Sequence, residues 1–119
     1  MKNRFNKLVA NFGYAIKGIT TLFREEQNAQ IHLIVTVAIV SLGFYLGLTT
    51  LEWSLVILSI GLVLVAEGIN TAIENAMDAI STEQHPKIGK VKDIAAGAVL
   101  IAAIIALAIG LLIFIPKLF

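Results

Sequence analysis

Cysteine is absent from the 119 residues, so neither a disulfide nor a thiolate nucleophile contributes to fold or chemistry. Charge is scarce as well. Asp, Glu, Lys and Arg together make up 14% of the chain, against about 25% in an ordinary soluble domain. The net charge is +1, and the basic residues form no dense stripe with interleaved aromatics, which argues against a nucleic-acid partner. Internal repeats and low-complexity segments are also missing. Residues 1–30 contain no long apolar core before a small-residue cleavage site, so this segment does not read as a secretory signal.

What the chain has instead is apolar length, with 58% hydrophobic residues. Between Glu26 and Glu52 nothing is charged, and His32 and Tyr45 are the only ionisable side chains. Trp53 to Ala66 and Ile94 to Pro116 are uncharged too. A hydrocarbon core takes about 20 residues of helix to cross. The expected architecture is therefore an all-α membrane protein, a single domain over residues 1–119, with spans at about 31–48, 53–80 and 93–115.

Ahead of the spans, Phe5, Leu8, Val9, Phe12, Ile16, Ile19, Leu22 and Phe23 recur at helical spacing. Lys2, Lys7 and Lys17 fall on other faces. This pattern predicts an amphipathic surface helix over about residues 3–26, with Gly13 or Gly18 as a possible bend. Ser81 to Val91 reads as a loop with Pro86 and Gly89 as breakers. Gly43-x-x-x-Gly47 and the series Ala98, Ala102, Ala106, Gly110 read as surfaces for close helix packing. Tyr45 and Trp53 suit an outer interfacial belt. His32 reads as an interfacial or hydrogen-bonded histidine rather than a metal ligand.

Orientation follows from the basic residues. Lys2, Arg4, Lys7, Lys17 and Arg24 precede the first span, and Lys87, Lys90 and Lys92 lie between the second and third. The turn between the first two spans has none, and the C-terminus has only Lys117. The positive-inside rule places the N-terminus and the second connection in the cytoplasm and the C-terminus outside, in the cytoplasmic membrane.

The informative stretch is Glu67 to Asp78. On one helix, Glu67, Asn70, Glu74 and Asp78 fall within an arc of roughly 80°. Carboxylates are costly in hydrocarbon, so a row of them at the end of a span marks a functional site. Three spans are too thin a bundle to shield that row from lipid, so a homo-oligomer is expected.

With Glu26, Asp93, Lys7, Lys92 and His85 at the same membrane face, the site offers oxygen ligands for a hard cation such as Mg²⁺. Lysines beside them suit phosphate oxygens. That equipment fits phosphoryl transfer, where positioning and charge neutralisation do most of the catalysis. A carboxylate at the depth of Glu67 is placed to take a proton from a hydroxyl arriving through the bilayer. No Walker A sequence is present, because Gly89-Lys90 lacks the upstream Gly and the following Ser or Thr; a protein-kinase glycine loop is missing as well. Two other readings fit intramembrane carboxylates: a small oligomeric cation or proton path, and a structural subunit that uses the polar face to oligomerise. A path should also place polar groups in the outer half of the spans, which is apolar here.

Glu67-x-x-Asn70-x-x-x-Glu74-x-x-x-Asp78, followed by Glu83-x-His85 and Lys92-Asp93-x-Ala95-x-x-Ala98-Val99, resembles the small prokaryotic integral-membrane diacylglycerol kinase family, which includes undecaprenol kinases. The resemblance extends over nearly the whole chain. It implies trimers with composite active sites between subunits that use Mg-ATP to phosphorylate a lipid hydroxyl, on diacylglycerol or undecaprenol. It further implies Glu67 as general base, and Glu26 and Glu74 as metal ligands that also meet ATP. Tyr14, Glu83, His85, Lys92 and Asp93 are implied as ATP contacts, with Asn70 and Asp78 in support. Lys7 stands where family members carry an arginine, and it offers phosphate a point charge instead of a bidentate fork. Glu26-x-Asn28-x-x-Ile31-His32 resembles the branch in which the undecaprenol kinases are found, a branch that also includes members named only as diacylglycerol kinases.

Overall fold

The computed structural model describes residues 2–81, 83 and 85–119, except for the side chain of Lys2. Four helices follow one another: α1 (Lys2–Glu25), α2 (Gln27–Leu46), α3 (Thr50–Ile80) and α4 (Pro86–Leu118). The last three are long and apolar enough to cross a membrane. Among the described residues there is no strand, so the all-α membrane architecture read from the sequence holds.

The chain turns from α1 into α2 at a single residue. Glu26 takes an extended conformation (φ −101°, ψ 116°) and breaks the helix. The Gln30 side chain closes the corner by donating to the carbonyls of Phe23 and Arg24, at 3.1 and 3.2 Å. Those carbonyls belong to the last turn of α1, whose oxygens have no partner within the helix. Ala29, fully buried, fills the inside of the bend. α1 itself runs without a break through Gly13 and Gly18. Every residue from 3 to 20 is exposed within the chain, so its apolar side has no partner there and suits a membrane surface.

At the other end of the bundle, α2 and α3 form a hairpin. α2 stops at Gly47, the only positive-φ residue described (φ 72°), whose N–H returns to the Gly43 carbonyl at 2.9 Å. Two residues on, Thr49 caps α3. Its hydroxyl accepts from the Glu52 N–H at 3.2 Å, and its own N–H donates to the Glu52 carboxylate at 2.9 Å, so two orphan donors are satisfied reciprocally. The Glu52 carboxylate also reaches Lys117 at 3.1 Å, joining the start of α3 to the end of α4. Beneath this polar clasp, Leu48, Val56, Ile113 and Phe114 make the buried apolar cluster.

The hairpin also corrects the expectation for Gly43-x-x-x-Gly47. These glycines do not form a helix-packing ridge. A Cβ on Gly43 would lie 2.8 Å from the Trp53 ring, so Gly43 is the seat of that indole, and Gly47 is a left-handed cap. Trp53 also packs on Phe44, with ring centroids 4.8 Å apart and planes tilted by 50°.

α3 and α4 pack along each other as the close pair, while α2 meets α3 more sparsely. Ala95 and Ala102 are the buried small residues of α4, whereas Ala98, expected on the same ridge, is exposed. The α3–α4 connection is shorter than expected, covering only residues 81–85. Pro86 does not break α4 but opens it, because proline at the first helical position lacks only an N–H that would be unpaired anyway. Gly89 lies inside the first turns.

Candidate active site

α3 is 31 residues long, about 46 Å at 1.5 Å per residue, against a hydrocarbon core of about 30 Å. Measured from Thr50, Glu67 lies about 26 Å along the helix, Asn70 about 30 Å, Glu74 about 36 Å and Asp78 about 42 Å. The polar face therefore begins within the last turns that one hydrocarbon core can cover and continues beyond that length. Burial follows the same order. Glu67 is 2% exposed and Asn70 7% exposed, Glu74 is half-buried and Asp78 is exposed. A carboxylate at one end of the row is sheltered by protein, and one at the other end stands in water.

Each member of the row has a different neighbour. Glu67 faces His32 of α2, whose Nε2 lies 3.7 Å from its Oε2. Next to it, Gly68 lies under the Leu22 side chain, so the end of α1 crosses α3 beside the buried carboxylate. Asn70 Nδ2 donates to Glu74 Oε1 at 3.3 Å, one helical turn on. Among the described residues, by contrast, Asn70 Oδ1 is buried without a partner, as is the Thr71 hydroxyl. A buried carboxamide oxygen left unpaired costs free energy. Carboxamide and carboxylate oxygens are the donor types a hard cation takes, but the Asn70 atom that faces Glu74 here is its Nδ2. Among the described residues of a single chain, no three His, Asp or Glu side chains converge.

Asp78 pairs with Lys92 of α4 at 2.5 Å, which ties the end of α3 to the beginning of α4 and brings two expected site residues together. His85 caps α4: its Nδ1 accepts from the Lys87 N–H at 3.1 Å, so in the neutral ring the proton sits on Nε2. Glu83 is exposed in the connection, its N–H donating to the Ser81 hydroxyl at 3.1 Å. Asp93 is exposed on the first turns of α4. Glu26 is the corner residue itself, half-buried, and its carboxylate makes no cap hydrogen bond. Lys7 and Tyr14 stand apart from all of these, exposed on the free part of α1, Tyr14 to 71%.

His32, read from the sequence as an interfacial or hydrogen-bonded histidine, is the residue to which sequence reasoning gave no role at this site. The signal was available, since it is the one histidine in the uncharged stretch 27–51. Its position opposite Glu67 depends on how α2 sits against α3, which no spacing within α2 reveals.

A family model for prokaryotic diacylglycerol kinase matches residues 13–114, from the middle of α1 to the last turns of α4. The chain belongs to that family. Its relatives carry two names. It is 41% identical to the undecaprenol kinase of Bacillus subtilis, across 98% of this chain and 95% of that one. It is 34% identical to the diacylglycerol kinase of Synechocystis sp., across 93% of this chain and 64% of the relative. The diacylglycerol kinase of Escherichia coli K12 is 31% identical across 86% and 84%. The resemblance carried by the Glu67-to-Asp78 motif is thereby borne out, and the polar face of α3 lies well inside the matched region.

Proposed function

We propose that this chain is a lipid kinase that transfers the terminal phosphoryl group of ATP to the hydroxyl of a membrane lipid. The observation that carries the reading is the graded polar face of α3. Glu67 is buried in the apolar part of α3 beside His32, which lines an apolar groove, while Glu74 is half-buried and Asp78 is exposed toward the polar end of the helix, where a water-soluble nucleotide would arrive. Family membership supports the same reading. In the transfer, the lipid oxygen forms a new bond to the γ-phosphorus and its proton passes to the Glu67 carboxylate. The bond from that phosphorus to the bridging oxygen breaks, and ADP leaves.

Glu74 and Glu26 are the carboxylates assigned to Mg²⁺ by resemblance to the family. The bound cation supplies neutralisation of the phosphate oxygens. Lys92 supplies a point charge to the same oxygens, held in place by Asp78. Lys7, Tyr14, Glu83, His85 and Asp93 are the remaining nucleotide contacts assigned by resemblance to the family.

Lys7 and Tyr14 lie on the part of α1 that packs on nothing in its own chain, so a site that joins them to Glu67 needs α1 of another copy. The working unit is accordingly a homo-oligomer, a trimer by resemblance, with composite sites at the subunit boundaries. The N-terminus and the α3–α4 connection face the cytoplasm, and the C-terminus lies outside, in keeping with the distribution of lysine and arginine.

A conducting path through the same carboxylates is disfavoured by the groove between α2 and the α3–α4 pair. The Thr36 and Ser59 hydroxyls there bond to carbonyls of their own helices, at 2.7 and 2.8 Å, and the rest of its lining beyond His32 is apolar.

The deciding experiment is ATP-dependent phosphate transfer by the purified protein in mixed micelles with Mg²⁺, offering diacylglycerol and undecaprenol side by side. The near full-length match to an undecaprenol kinase supports including the second acceptor. Transfer to either lipid, lost in Glu67→Gln, is the expected result. No transfer to either by the assembled protein overturns the reading, and cation flux is then the measurement to make.

A further inference from the structure

An apolar groove of about 490 Å³ runs between α2 and the α3–α4 pair, lined from Ile31 and His32 at one end to Leu118 at the other. Three polar side chains belong to its wall: His32, Thr36 and Ser59. The two hydroxyls are occupied by their own helix backbones. His32 is the one whose polar edge turns elsewhere, toward Glu67, with Nε2 at 3.7 Å from the carboxylate. The Glu67 side chain is 3% exposed and that of His32 27%. Of the pair, His32 is the member the groove reaches.

The separation itself is informative. At 3.7 Å the two atoms are too far apart for a hydrogen bond. They are close enough for one oxygen to lie about 2.8 Å from both, accepting from the imidazole N–H and donating to the carboxylate. A hydroxyl has one proton to donate and lone pairs to accept with, and so satisfies both partners at once.

Resting on the lipid-kinase reading, we propose that His32 binds the acceptor oxygen. Its Nε2–H holds the lipid hydroxyl with a lone pair occupied and the O–H directed at Glu67, in the orientation that proton transfer to Glu67 requires. Both the Nε2–H tautomer and the imidazolium carry that donor, so the role does not depend on a change of protonation at His32. The ligand is a primary or secondary alcohol at the head of an apolar chain. The groove accommodates the chain, and the His32–Glu67 gap accommodates the oxygen.

The test compares His32→Gln, whose amide retains an N–H donor, with His32→Leu, which retains the bulk alone. Both are assayed as assembled protein in micelles, with lipid and ATP varied independently. For His32→Leu, kcat/KM for the lipid falls roughly ten- to a hundredfold, the range for losing a hydrogen bond to a charged or reacting partner, while KM for ATP stays within about twofold. His32→Gln recovers a substantial part of the lost kcat/KM. The inference is overturned if His32→Leu matches the wild type, if His32→Gln is no better than His32→Leu, or if the ATP and lipid parameters decline together. Glu67→Gln run alongside separates the two levels. An active wild type, an inactive Glu67→Gln and an unimpaired His32→Leu remove His32 from the reaction and leave the kinase reading intact. A wild type that transfers no phosphate to either lipid removes both.

Discussion

The indole of Trp53 occupies the space over Gly43 that any side chain at that position would need, with a Cβ there only 2.8 Å from the ring. Gly43→Ala therefore displaces the ring from its place beside Phe44. The expected cost is about 1–3 kcal/mol, as for other overpacked sites, read as a lower midpoint of thermal or denaturant unfolding. Gly68→Ala is the control, since its new methyl meets Leu22 at an ordinary 3.6 Å and should leave the midpoint nearly unchanged.

Gly47→Ala tests the hairpin by a different mechanism. Nothing lies within 4 Å of a Cβ there, so packing is no obstacle, but φ is 72°. The left-handed conformation costs an L-residue about 1–2 kcal/mol. The loss should appear in stability with no effect on KM for either substrate, because the hairpin lies at the far end of the bundle from Glu67.

At the other end, Gln30 is the latch of the α1–α2 corner. Gln30→Leu leaves the carbonyls of Phe23 and Arg24 without their side-chain donor, a loss of about 1 kcal/mol per hydrogen bond. Limited trypsin digestion in micelles should then cut after Arg24 faster than in the wild type. An unchanged rate shows that the corner is held by other contacts.

Asp78 and Lys92 separate stability from activity. Their pairing is solvent-accessible, and exposed ion pairs are worth roughly 0.2–1 kcal/mol. Asp78→Asn should lower the unfolding midpoint only slightly. Lys92→Met should lower it as little, yet raise KM for ATP at least tenfold if the ammonium meets phosphate. A shift in stability alone would make the pair a structural tie.

Glu74→Gln should raise the Mg²⁺ concentration needed for half-maximal transfer, since the amide is a poorer ligand for a hard cation. Glu67→Gln should abolish turnover at every Mg²⁺ concentration while the protein elutes as the same oligomer. An unaltered Mg²⁺ dependence in Glu74→Gln would count against that carboxylate as a metal ligand.

Local chemistry was legible in the sequence where it acts within one helix. The arc containing Glu67, Asn70, Glu74 and Asp78 needs only the 100° step, and the uncharged runs needed only counting. Signals that change meaning with position were harder. Pro86 breaks a helix in its interior and starts one at its first residue, and the sequence does not say which applies. Gly43 and Gly47 have the spacing of a packing motif, but their roles were set by an indole ten residues on and by a turn. The partner of His32 could not be read from its neighbours in the chain, since Glu67 is 35 positions away on α3.

The length of α3 has a consequence for the lipid around it. On the proposed topology, the Thr49 cap and the Glu52–Lys117 clasp lie near one membrane surface, and Glu67 lies a fixed distance, about 26 Å, further along. Bilayers differ in thickness by several ångströms, and a span accommodates the difference by tilting or by deforming the lipid, at modest cost per ångström. In a thick bilayer Glu67 sits deeper below the surface, farther from a nucleotide that stays in water; in a thin one it rises toward the headgroups. On the lipid-kinase reading, phosphate transfer is therefore expected to vary with the acyl-chain length of the host lipid, through a ruler built into one helix.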